Sequence, residues 1–90
     1  MNKDRRAQIE AIQRKASDLA NEIDALKDEL DTIKDDEQDY HDNMPEGIQN
    51  GEKGEKSQAA IDALEEALGA FDEALSAFET VDSALDTAAE

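Results

Sequence analysis

The first half of the chain carries an apolar residue at every third or fourth position over more than three heptads. The row runs from Ile9 to Ile33 in alternating steps of three and four residues, and no glycine or proline precedes Pro45. This spacing puts the apolar side chains on one face of an α-helix, which packs against another helix to escape water. The pattern predicts a first helix over residues 3–40. We assign the heptad positions a and d to two groups: Ile9, Ala16, Ile23, Leu30 and Glu37 at a, and Ile12, Leu19, Leu26, Ile33 and Tyr40 at d.

The second half repeats this pattern from Ile61 to Leu85, with Asp82 as its one polar member. It predicts a second helix over residues 53–88. A further row of small apolar residues accompanies the pattern at position g, and we expect it to mediate self-association: Ala60, Ala67, Ala74 and Val81. Between the helices, residues 41–52 hold the only proline and two of the four glycines. Asn43 is expected to cap a short helical turn there, with Glu46 completing the capping box.

Together these segments predict an all-α fold, an antiparallel two-helix coiled-coil hairpin forming one domain over residues 1–90. The a and d residues of the first helix should face those of the second, with Tyr40 and Met44 closing the tip. Leu, Ile, Val and Phe number only 16 of 90 residues. Such a small core is insufficient for one hairpin, so we expect a homodimer that forms a four-helix bundle.

The charge of the chain is strongly negative and unevenly distributed. Twenty-five acidic residues oppose nine basic ones, which gives −16, and residues 18–73 alone carry −15. Residues 1–17 carry +3 and should lie beside the acidic end of the second helix. Asp82 there has two interpretations: either the frame slips so that Val81, Leu85 and Ala88 form the buried face, or Asp82 pairs with Arg5 or Arg6 across the hairpin. Such acidity disfavours direct binding to nucleic acid or to anionic membranes and favours a basic protein surface as partner. The predicted partner-binding residues are Asp28, Asp31, Asp35, Asp36, Asp39, Asp42, Glu65, Glu66 and Asp72.

No constellation of residues predicts catalysis, a cofactor or a metal site. The chain has no cysteine and one histidine, His41, which we interpret as a surface residue. Asp35, Glu37, Asp39 and Glu46 have the spacing of calcium ligands in an EF-hand loop, but Tyr40 occupies the position that requires glycine. No apolar run has the length of a membrane span, and we expect a cytoplasmic, non-enzymatic protein.

The connector sequence YHDNMPEGIQNGEKGEK resembles that of small acidic helical-hairpin proteins from bacteria, phages and other mobile elements. The similarity extends to the arginines near the start and rests on Arg5, Arg6, Tyr40, Asn43, Met44, Pro45, Glu46, Glu52, Lys53 and Gly54. It implies a setting rather than an activity. By analogy, small acidic proteins in that setting often inhibit the nucleic-acid-binding proteins of their host.

Two functions fit these observations. In the first, the acidic half occupies a basic, nucleic-acid-binding groove of a host protein; a dimer would carry −32, close to the ~30 charges on 50 Å of DNA. In the second, the hairpin is a structural coiled-coil module for assembly or interaction, and its acidity only keeps it in solution. Weakening of partner binding by salt would favour the first, and strengthening of association by salt the second.

Overall fold

The computed structural model describes all 90 residues and contains three α-helices and no strand. Helix α1 covers Lys3–Asp42, α2 covers Glu46–Gln49 and α3 covers Glu52–Ala89. The predicted all-α class is confirmed, and each long helix extends at most two residues beyond its predicted bounds. None of the three helices has a stretch with the length and hydrophobicity that crossing a membrane requires.

The short helix α2 begins differently from the sequence prediction. Its N-cap is Pro45, and no side chain accepts a hydrogen bond at this helix start, so the predicted cap by Asn43 and Glu46 is wrong. Asn43 instead continues the end of α1, where its backbone N–H donates to the carbonyl of Asp39 at 3.0 Å. The helical turn ends at Gly51, whose N–H donates to the carbonyl of Ile48 at 3.0 Å.

The chain divides into two compact units, each containing one stretch of both long helices. Unit 1 comprises Met1–Ala25 and Phe71–Glu90, and unit 2 comprises Leu26–Ala70. Unit 2 holds all three buried residues of the chain: Gly54, Ser57 and Ile61. Ile61, at 1% exposure, is the only fully buried large side chain.

Unit 2 owes its close packing to small residues at the start of α3. A Cβ atom added at Gly54 would overlap the backbone of Gln49, so glycine is what allows α2 to lie directly against α3. The side-chain amide of Gln49 also donates to the backbone carbonyl of His41 at 3.0 Å, which ties α2 to the end of α1. Three successive elements therefore meet at this point.

In unit 1 the two helices are joined by one glutamine. The Gln13 amide donates to the Asp86 carboxylate at 2.8 Å, and to the Asp82 carboxylate at 3.2 Å. Asp82 is exposed and its partner is Gln13, so its pairing with Arg5 or Arg6 is wrong. The alternative slip of frame is wrong as well, because Val81 and Ala88 are exposed and only Leu85 is half-buried. The five basic side chains of residues 1–17 form no ion pair at all within the chain.

The half-buried face of α1, which we call its seam, is not the face that the heptad pattern predicts. The a residues from Ile9 to Glu37 are half-buried as expected, but the large d residues are exposed. The row at position e replaces them, since all its members are half-buried: Gln13, Ala20, Lys27, Lys34 and His41. Small Ala16 and Ala20 permit close approach on this side, and lysine stems can cover apolar surface while their charged heads stay in water. The expectation that Leu19, Leu26 and Ile33 face α3 is therefore wrong.

Helix α3, in contrast, presents the predicted face. Its large a and d residues are all buried or half-buried: Ile61, Leu64, Leu68, Phe71, Leu75, Phe78 and Leu85. Ala67 and Ala74 of the g row are also half-buried, whereas Ala60 and Val81 are exposed. The pattern of α3 thus predicts its orientation correctly.

Candidate functional surface

All the residues predicted to bind a partner have exposed side chains. Six of them lie on α1 and belong to unit 2: Asp28, Asp31, Asp35, Asp36, Asp39 and Asp42. Glu65 and Glu66 of α3 belong to the same unit. We call these eight residues the acidic surface. Asp72 is exposed as well but belongs to unit 1, so it is not part of that surface.

Charge is more concentrated in unit 2 than in unit 1. Residues 26–70 contain fourteen acidic and four basic residues, a net charge of −10. The residues of unit 1 carry the remaining −6, all of it from positions 71–90, because acidic and basic residues balance over positions 1–25. The excess of carboxylates is therefore greater in unit 2, which also contains α2 and the turns on either side of it.

Few carboxylates of the acidic surface have partners within the chain. The Lys34 ammonium lies 3.5 Å from the Asp35 carboxylate and 3.8 Å from that of Asp31, and Gln38 donates to Asp42 at 2.9 Å. The carboxylates in these ion pairs are exposed although the Lys34 side chain is half-buried, and ion pairs at the surface contribute about 1 kcal/mol or less. The remaining side chains make no ion pair or hydrogen bond: Asp28, Asp36, Asp39, Glu65 and Glu66.

The calcium-like spacing does not form a binding loop. Asp35, Glu37 and Asp39 lie within α1, where each residue is turned by about 100° from the one before, so Glu37 points to the opposite side of the helix from Asp35 and Asp39. Glu46 begins a separate helix. No group of three or more histidine, aspartate or glutamate side chains is arranged to hold a metal ion anywhere in the chain.

Unit 1 contains an open groove of about 410 Å³ between its two helix stretches. Its floor is apolar, formed by Ala16, Ala20, Leu75 and Phe78, and its rim is polar, with Gln13 and Asp82 at one end. The rim presents amide, hydroxyl and carboxylate groups.

Tyr40 and Met44, which were predicted to close the tip of a hairpin, differ in their exposure. Tyr40 is 55% exposed and does not close the tip, whereas Met44 is half-buried as a closing residue would be. His41 is half-buried rather than a surface residue, and its Nδ1 atom is buried without a hydrogen-bond partner. Tyr40 is instead the last member of the exposed d row of α1.

One contact that the sequence analysis missed joins α1 to α3. The buried Ser57 hydroxyl donates to the Glu37 carboxylate at 2.8 Å, which gives the charged interruption of the α1 row a polar partner. The sequence does contain an indication of this contact. Gly54 stands seven residues before Ile61, and Ser57 stands seven residues before Leu64, so both occupy the heptad positions of the second row. Small residues at these positions extend the second row backwards and indicate a close approach of helices.

The candidate site is therefore an exposed acidic surface formed by residues of α1 and α3. The resemblance to acidic hairpin proteins of mobile elements remains a prediction. Comparison of the chain with protein-family models, with curated proteins and with solved structures finds no match.

Proposed function

We propose that this protein is a non-catalytic module that binds a basic surface of another protein, and that it occupies a groove which otherwise holds nucleic acid. The observation that carries the proposal is the acidic surface of unit 2, whose carboxylates are exposed and mostly unpartnered. Carboxylates held at fixed positions on a helix can replace phosphate oxygens as acceptors for Arg and Lys side chains.

The charge density of unit 2 supports this comparison with nucleic acid. The 17 residues of α1 in unit 2 span about 25 Å at a rise of ~1.5 Å per residue. A net charge of −10 over that length is about one charge per 2.5 Å. Duplex DNA carries one per ~1.7 Å and a single strand one per ~3.4 Å, so the surface falls between the two.

The architecture that we infer for this module is an antiparallel hairpin of α1 and α3. It is supported in unit 2 by the Ser57–Glu37 contact, which brings the start of α3 beside the end of α1. In unit 1 it is supported by the contacts of Gln13 with Asp82 and Asp86. Rigid helices hold the carboxylates without the entropy that a disordered acidic tail would lose on binding.

The experiment is capture of host proteins on the immobilised chain, with duplex DNA and salt as competitors. We expect capture of DNA-binding proteins that is displaced by DNA and falls at least tenfold between 50 and 200 mM salt, since several charge contacts are lost together. The double variant D28K/D35K should abolish capture, because it reverses two carboxylates on the outward face of α1. Capture that ignores both DNA and salt would contradict the proposal.

The matched control is E73K/E79K, which makes the same change of net charge in unit 1. Both side chains are exposed and have no partner within the chain. It should leave capture intact, which separates a local acidic surface from total charge. Asp82 and Asp86 are unsuitable as controls because they accept hydrogen bonds from Gln13.

The alternative function, a coiled-coil module for assembly, is favoured by a different observation. The large d residues of α1 are half-exposed although they are apolar. If acidity serves only solubility, D28K/D35K will bind every partner as the unchanged chain does, and salt will strengthen association by screening repulsion.

A further inference from the structure

A row of five large apolar side chains on α1 is left half-exposed by the rest of the chain. Its members recur every seven residues and are each between 50% and 55% exposed: Ile12, Leu19, Leu26, Ile33 and Tyr40. We call this row the exposed stripe. Soluble monomers commonly expose single large apolar residues but seldom a regular row of them along one helix.

The position of the stripe on the helix explains why α3 leaves it uncovered. The seam of α1 is formed by the a and e rows, for example by Ile23 and Lys27. At about 100° per residue, the stripe lies roughly 60° from the a row and roughly 100° from the e row. One neighbouring helix cannot cover an arc of that width, so a second helix is needed.

We propose that the exposed stripe binds the same stripe of a second copy of this chain, with the two α1 helices antiparallel and centred on Leu26. In this symmetric pairing Leu26 meets its own counterpart, Leu19 meets Ile33, and Ile12 meets Tyr40. Pairs of identical patches are the usual basis of homodimers, because one surface supplies both sides of the contact.

Charge complementarity selects a second copy in the antiparallel direction. Within the length of α1, the pairing brings residues 10–17, with two basic and one acidic side chain, against residues 35–42 of the other copy, with five acidic side chains and no basic one. The basic side chains Arg14 and Lys15 are available, since neither forms an ion pair within its own chain. A parallel pairing would instead set acidic against acidic along residues 28–42.

The charged residues beside the stripe show where the two copies attract each other and where they repel. Next to the stripe, Lys15 of one copy faces Asp36 of the other, which is an attractive pair near each end of the contact. Glu22 and Glu29 meet closer to the centre and repel each other. The ends of the interface are therefore electrostatically favourable, and its apolar middle carries the unfavourable pair.

The surface area of the chain is also that of a protein with an uncovered face. The accessible surface is 6508 Å², whereas a folded monomeric protein of 9.9 kDa has about 5200 Å². The excess of about 1300 Å² is larger than the ~800 Å² that each partner of a stable dimer buries, so the chain has enough uncovered surface for such a contact.

The stripe shifts the predicted self-association surface from α3 to α1. In the antiparallel hairpin proposed above, the g row of α3 lies on the same side of the seam as the exposed stripe. Ala60 and Val81 are exposed there, while Ala67 and Ala74 are already half-buried within the chain. The alanines thus border the contact, and the larger side chains of α1 form its centre.

The test uses cysteine cross-linking, which is simple because the chain has no cysteine of its own. Leu26→Cys should give a disulfide-linked dimer in nearly full yield under mild oxidation. Leu19→Cys mixed with Ile33→Cys should give the mixed dimer, whereas Ile33→Cys alone should not, because antiparallel pairing separates the two copies of this position by roughly 20 Å. Equal self-linking by Ile33→Cys would overturn the antiparallel pairing.

Sedimentation provides an independent measurement. The unchanged chain should sediment as a dimer at 100 µM, and Leu26→Glu as a monomer, because the dimer would bury two unpaired carboxylates at its centre. Ala59→Glu, an exposed position on the outward face of α3, is the control and should remain dimeric. A monomeric unchanged chain, or a dimeric Leu26→Glu variant, would overturn the proposal. Neither measurement involves a foreign partner, so the result is independent of the proposed function.

Discussion

Two glycines in α3 have opposite structural roles, although the sequence alone does not distinguish them. Gly54 is buried against the backbone of Gln49, while a Cβ atom at Gly69 would meet no atom within 4 Å. We expect Gly54→Ala to destabilise the fold by about 1–3 kcal/mol, because α2 must move away from α3. Gly69→Ala should stabilise it by about 1 kcal/mol through helix propensity alone. Urea unfolding followed by circular dichroism measures both, and equal effects of the two substitutions would refute this assignment.

Individual residues were the hardest features to predict from the sequence. The exposure of Tyr40 and the Gln13 contacts depend on the rotation of α1 about its axis, which spacing alone does not fix. The Ser57–Glu37 contact was predictable in principle. Glu37 stands in the apolar a row of α1, and a carboxylate that is partly buried there needs a hydrogen-bond donor nearby. The predicted cap at α2 failed because Pro45 already occupies the N-cap position.

At the level of elements, the long helices were predictable and their facing surfaces only in part. Heptad spacing gave the extents of α1 and α3 to within two residues and the orientation of α3. It misassigned the seam of α1, because the a residues belong equally to two possible faces, one with d and one with e. Choosing between them depends on packing against α3, which is a tertiary effect that periodicity does not contain.

The hydrogen bond between α1 and α3 can be tested by removing its donor. Ser57→Ala leaves the half-buried Glu37 carboxylate without its partner and should lower the free energy of unfolding by about 1 kcal/mol. Ser76→Ala, an exposed substitution in the same helix, is the control and should change it by less than about 0.5 kcal/mol. A double-mutant cycle with Glu37→Ala measures the coupling directly. Zero coupling energy would mean that the contact contributes nothing.

For the molecule as a whole, the composition determined the net negative charge, and the heptad pattern predicted which carboxylates are exposed. Low apolar content alone would suggest disorder, but the ordered spacing of the few large residues indicates helices. The acidic surface was identified correctly as exposed because outward heptad positions carry its carboxylates. Its partner was not predictable, since charge density constrains the class of a binding surface and not its shape.

The clustering of all buried residues between Gly54 and Ile61 has a kinetic consequence. Ser57 and Glu37 are 20 residues apart in the chain, whereas Gln13 and Asp86 are separated by 73. Closing the shorter loop costs about 1 kcal/mol less chain entropy, so we expect contacts around the turn to form first during folding and the terminal contacts to follow. Pulse-labelling hydrogen exchange should find amides of residues 54–61 protected earliest. Earlier protection of residues 82–86 would reverse this order.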